Sequence, residues 1–181
     1  MLFGLVPELL SRCFCPIVIK TQKDFQFASC CAIIEIHGGD NMDINSLDRF
    51  VKAQEKMFPI AMKEIQNGKK RSHWMWYIFP QLRGLGISSM AHKYGIINLD
   101  EAKAYLDHPT LSVRLFEISE ALLKHKKKKP EAIFGYTDAM KLRSSMTLFA
   151  LVSEDDSVFH KVLQAFYNGE IDDLTIKLAK K

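Results

Sequence analysis

Residues 69–81 read Lys69-Lys70-Arg71-Ser72-His73-Trp74-Met75-Trp76-Tyr77-Ile78-Phe79-Pro80-Gln81, and whether this stretch is strand or helix decides the fold class. Its aromatic residues occupy both faces in either drawing, so periodicity does not separate the two and burial all round is expected. Ser72 as a helix cap and Pro80 as a stop favour a short helix.

The segments on either side agree with that choice. Ser46 can cap a helix carrying Leu47, Phe50, Val51, Phe58, Ala61, Met62 and Ile65 at helical spacing, kinked or split at Pro59 and ended by Gly68. Ser88 or Ser89 opens a short helix that stops at Gly95. Asn98 and Glu101 make a capping-box pattern for the next, through about Leu106. His108-Pro109 breaks the chain before a helix opened by Thr110, with Leu111, Leu115, Ile118 and Leu122 along one face. Pro130 suits a first helical turn. Asp138 is expected to begin a helix over 139–152, Asp155 or Asp156 one over 158–167 closed by Gly169, and a last helix follows Asp172. The sequence therefore predicts an all-α, compact single-domain bundle of about seven to eight helices, without internal repeats.

Length and composition fit that reading. The 181 residues are 48% hydrophobic and 25% charged, with a formal net charge of +4. This is the composition of a soluble globular chain with one core. The mild positive charge permits an anionic ligand and is too small to argue for nucleic acid. No run approaches the ~20 apolar residues that cross a bilayer.

Residues 1–41 look foreign to the remainder. They hold all four cysteines, with Cys13-Phe14-Cys15 and Cys30-Cys31 at spacings unlike those of zinc ligands. Gly38-Gly39-Asp40-Asn41 then breaks the chain immediately before Met42. The segment reads either as a disordered or weakly structured arm or leader, or as translated upstream sequence. The helix start following Met42 favours the second, and the domain division is therefore 1–41 and 42–181. A body of residues 42–181 with no cysteine suits a reducing cytosol, so a cytoplasmic protein without metal or other cofactor is expected.

Chemistry concentrates in three strings. In residues 69–81 a block of cations runs into both tryptophans, and aromatic faces beside fixed positive charge can hold a planar or anionic group. His73 between them can accept and donate at once, as a general acid or base or as a satisfied structural imidazole. Gln81-Leu82-Arg83-Gly84-Leu85-Gly86 precedes a serine-capped helix start and reads either as an anion-binding turn or as a tight interhelical connection. In residues 141–149, Lys141-Leu142-Arg143-Ser144-Ser145-Met146-Thr147-Leu148-Phe149, one helix side carries Lys141, Ser144, Ser145 and Leu148. Those hydroxyls either line a pocket or bond to the backbone one turn earlier. The run of lysines at 126–129 ends a helix, where cations complement the dipole.

These motifs, in one order from about residue 42 to 178, resemble the family catalogued as domain of unknown function 1810. The matching text also includes Leu47-Asp48-Arg49-Phe50-Val51-Lys52-Ala53-Gln54 and Asp100-Glu101-Ala102-Lys103-Ala104-Tyr105-Leu106-Asp107-His108-Pro109. The resemblance implies an all-helical, bacterial-type cytosolic domain and implies no activity or cofactor.

The functional expectation is a pocket for an anionic, nucleotide-like small molecule. Trp74 or Trp76 would stack, Arg71, Arg83, Lys141 and Arg143 would hold phosphate, and Ser72, Gln81, Ser144 and Ser145 would line the site. His73 would serve as acid or base if an N-glycosidic or ADP-ribosyl bond is hydrolysed. The alternative is a non-catalytic protein–protein interaction module in which the same residues are core. The deciding geometry is whether residues 71–81 and the helix over 141–147 meet at one cavity. The sequence leaves the oligomeric state open.

Overall fold

The computed structural model describes residues 47–181. The readings of residues 1–41, and Ser46 as the first helix cap, lie outside the described residues. Nine helices are present among those described: α1 (Asp48–Gln66), α2 (Met75–Ile78), α3 (Ser89–Tyr94), α4 (Leu99–Asp107), α5 (Pro109–Leu123), α6 (Pro130–Phe134), α7 (Tyr136–Ala150), α8 (Val158–Tyr167) and α9 (Asp173–Ala179). Extended pairing among the described residues is confined to one isolated bridge, Leu82 to Ile96. The fold is all-α, and the ambiguous aromatic string contains a single helical turn, α2, with Trp74 rather than Ser72 in the capping position.

α1 packs on α5, α5 on α8, and α8 on α7. α6, α9 and α4 also pack against α7, while α2 lies on α1. α7 is thus enclosed by neighbours, and its residues 144–150 are buried without interruption. That explains why residues 141–149 lack a clean amphipathic stripe: a helix covered all round has no polar face to show. Ser144 and Thr147 donate to the carbonyls of Met140 and Arg143, at 3.2 and 2.9 Å, so their hydroxyls are satisfied one turn back. A column of rings runs through the core, Phe50 to Tyr105 to Phe149 to Phe159 to Phe116, with successive centroids 5.2–5.5 Å apart. It joins α1, α4, α7, α8 and α5, and edge-on or tilted rings at this separation add to plain area burial.

Helix ends show where local signals were read correctly and where they were not. Ser88, Asn98 and Asp172 accept from the amides of Ala91, Glu101 and Thr175, capping α3, α4 and α9 as expected. Pro59 sits inside α1 without splitting it. His108 does more than precede a break. Its Nδ1 accepts from the amides of Thr110 and Leu111, so it caps α5 and Pro109 takes the first turn. α8 is entered from Ser157, with Asp156 at positive φ before it. α7 starts at Tyr136, not after Asp138, because Gly135 turns the chain there at φ 77°, ψ 164°.

Only glycine occupies that backbone region comfortably. A Cβ at position 135 would meet nothing within 4 Å. Gly135→Ala is therefore expected to cost about 1–2 kcal/mol from backbone strain alone. Urea denaturation checks this, and an unchanged midpoint would show that the α6–α7 corner relaxes.

Candidate functional site

The loop from α1 to α2 holds an anion, and the anion is the protein's own Glu64. The Glu64 carboxylate, on the last full turn of α1, accepts from the amides of Arg71 (2.7 Å) and Ser72 (3.1 Å), and from the Trp74 indole Nε1 (2.8 Å). The Ser72 hydroxyl donates to it as well. Burial pushes this carboxyl up. The Ser72 hydroxyl, the two amides and the indole together outweigh burial and hold it at about 2. Ser72 and Trp74, expected to contact a ligand, are thus occupied within the fold, and Trp74 is fully enclosed. Stacking from solvent requires an exposed ring face, so that expectation passes to Trp76, which is half-buried.

A second cluster joins this loop to α7. Asp138 receives Lys70 at 2.7 Å on one oxygen and Lys141 at 2.8 Å on the other. The Lys70 ammonium lies 5.1 Å from the Trp74 ring centroid, and that of Lys141 lies 4.7 Å from the Trp76 centroid. Burial works against the Asp138 charge, but the two ammonium groups prevail and keep the carboxyl below the usual range. The Lys70 side chain is only 8% exposed. Two poorly solvated cations therefore share one carboxylate above two indole rings, leaving a surplus of positive charge at this place. The two strings do meet, as expected, although Lys141 is paired with Asp138 and not free.

The remaining candidates are scattered. Arg143 points to the α8–α9 connection, 3.7 Å from Glu170 and 3.9 Å from Asp172. Ser145 is fully buried, its hydroxyl without a partner among the described residues. Its place is in the core, not on a pocket wall. Gln81 and Trp76 border a recess of about 10 Å³, room for a water molecule and nothing larger. Arg83 is exposed beside the turn at Gly84 (φ 101°), where its amide donates to Ile96 and Ile96 donates back to Gln81. This is the tight interhelical connection. Arg71 and His73 are exposed, and the His73 ring has no hydrogen-bond partner among the described residues. Two open depressions, of about 700 and 760 Å³, lie along α8 and along α1. Neither these nor the recess is lined by His73 or Lys141.

Glu64 and Gln54 organise this region without any role in the sequence reading, where Asp138 figures only as a helix start. Glu64 had a legible signal. Ala61, Glu64 and Ile65 fall on one helical stripe, and a carboxylate on an inward stripe must find donors.

No curated protein matches the chain. In the solved structures it is similar to the conserved hypothetical protein Rv1873 from Mycobacterium tuberculosis, with 43% identity and a TM-score of 0.73, covering 75% of this chain and 97% of that one. Residues 44–179 match the family described as "Protein of unknown function (DUF1810)". With three-quarters of its length matched in sequence, and with a solved relative of the same helical fold, the chain belongs to the DUF1810 family.

Proposed function

We propose that this domain is a non-catalytic binding module that receives an acidic partner group on the face around Trp76 and Lys141. One observation carries the reading. The Arg71 and Ser72 amides, the Ser72 hydroxyl and the Trp74 indole are engaged on Glu64, while the Arg71 and His73 side chains stay exposed beside a half-buried cluster of two lysines sharing one carboxylate. Arg71 and His73 are exposed on the loop whose Lys70 is tied through Asp138 to Lys141. Such a face offers steering and orientation to a carboxylate-rich partner without an enclosing cavity. Hydrolysis asks more: an acid or base held by a second group, and a concave site around the scissile bond. A second reading, a nucleotide-like small molecule, is favoured by one observation, the half-buried indole of Trp76 with an ammonium 4.7 Å from its centroid.

The fluorescence of Trp76 separates the two, because Trp74 is enclosed. The full chain would be titrated with a glutamate-rich peptide and, separately, with AMP and ADP-ribose, using Trp76→Phe to assign the signal. Saturable, salt-sensitive binding of the peptide, weakened about fivefold or more by Lys141→Met, is expected. Saturation by a nucleotide with no response to the peptide would replace this proposal by the small-molecule reading, and release of free base or ribose would replace it by the enzymatic one.

A further inference from the structure

Away from that face, an open cleft of about 700 Å³ lies between the end of α5 and α8. Its apolar wall includes Leu123 and Leu163, with Ile171 at the rim. Its polar groups come from three places: Lys126 in the turn after α5, Asp156 just before α8, and His160, Lys161 and Gln164 on adjoining positions of α8. The imidazole is held by two serines: the Ser153 and Ser157 hydroxyls are 2.9 Å apart, and the Ser157 hydroxyl lies 2.9 Å from His160 Nδ1. This contact fixes the orientation of the ring, and Nε2 has no hydrogen-bond partner among the described residues.

Charge decides what such a cleft accepts. Asp156 is the one carboxylate on its lining, and it reaches Lys161 at 3.4 Å with both side chains largely exposed, a weak pairing. Lys126 and Lys161 against Asp156 leave a positive surplus facing an apolar wall. We infer that this cleft is a second binding site, for a small organic anion whose apolar body lies against Leu123 and Leu163. Its carboxylate or phosphate head meets Lys126, Lys161 and the His160 imidazole. The Ser157 hydroxyl is a positioning group here, since it is engaged between Ser153 and the imidazole. The inference stands apart from the face around Trp76 and uses none of its residues.

The full chain, uniformly labelled with nitrogen-15, would be titrated by NMR with inorganic phosphate, hexanoate and phenyl phosphate. Hexanoate or phenyl phosphate is expected to shift saturably the resonances of residues 123–126, 160–165 and 171. Phenyl phosphate should bind about fivefold or more tighter than inorganic phosphate, through its buried ring. The stronger of the two organic probes identifies the head group. The double substitution Lys126→Met, Lys161→Met should weaken binding about tenfold or more, with the remaining spectrum unchanged. Unsaturable shifts, equal affinity for inorganic and phenyl phosphate, or full binding by the double variant would each overturn the inference.

Discussion

Glu64→Gln is expected to lower the stability of the fold by about 3 kcal/mol at pH 7. The folded carboxyl stands at about 2 against an ordinary 4.5, and that displacement is differential stabilisation of the charged form, about 3 kcal/mol in size. Glutamine keeps the shape and loses the charge. It also turns an amide NH2 toward a group composed entirely of donors: two backbone amides, a hydroxyl and an indole. The sign of the pH dependence follows from the direction of the shift. A depressed carboxyl contributes fully above its unfolded value and loses its contribution as the pH falls through the folded one. The wild-type advantage over Glu64→Gln should therefore be complete above about pH 5 and shrink toward zero near pH 2. Asp138, also held low, titrates in both proteins, so the difference between their urea midpoints at pH 7, 4 and 2.5 isolates Glu64. A difference independent of pH would mean that glutamine disturbs packing and that the charge contributes nothing.

The same carboxylate explains how far the sequence could be read. Helices were legible because their signals are local: Ser88, Asn98 and Asp172 each cap with a side chain a few residues from the amide it accepts. α7 was legible as a helix but not as a core helix, since its burial comes from α4, α6, α8 and α9 and not from its own pattern. Its serines therefore read equally well as pocket lining. The basic–aromatic loop does hold an anion, but through two backbone amides, the Ser72 hydroxyl and the Trp74 indole N–H and not through its cations or ring faces, and nothing in the loop itself shows that this anion is supplied from α1. The Lys70–Asp138–Lys141 cluster closes across a separation of about seventy residues, a distance at which only the fold brings groups together. By contrast, Ser153, Ser157 and His160 lie at helical and capping spacing and could have been noticed as a unit.

Glu64 and the Lys70–Asp138–Lys141 cluster belong to a general arrangement in this domain, in which buried and half-buried polar groups tie its helices and loops together. Arg49 is a third case. It meets Glu101 at 2.7 Å and the Gly95 carbonyl at 3.2 Å, and Glu101 in turn accepts from the Ile97 amide at 2.6 Å. The capping box read at Asn98 and Glu101 thus closes one residue earlier than its usual form, and α1 is tied to the start of α4. Such groups are costly when broken singly, because the survivor is left desolvated.

Gln54→Leu is the sharpest test of that cost, with an expected loss of about 3 kcal/mol. Gln54 is 1% exposed, on the inward stripe of α1. Its amide NH2 donates to the Tyr77 carbonyl at 2.7 Å and to the Tyr105 hydroxyl at 2.8 Å. Its oxygen accepts from Arg114 at 3.4 Å. One side chain therefore serves α2, α4 and α5 from α1. Tyr105 is fully enclosed, and burial drives its phenol well above the ordinary value despite the Gln54 hydrogen bond, so the hydroxyl stays protonated in the core. Leucine fills nearly the same volume but leaves the Tyr77 carbonyl and the Tyr105 oxygen without this donor, each at about 1–3 kcal/mol. Removing the second partner as well should relieve part of the penalty. Gln54→Leu combined with Tyr105→Phe is expected to be less destabilising than the sum of the two single changes by about 1 kcal/mol or more. Urea denaturation of the four proteins measures this coupling. Simple additivity would show that the hydrogen bond between Gln54 and Tyr105 contributes nothing, and that leucine costs only through its fit.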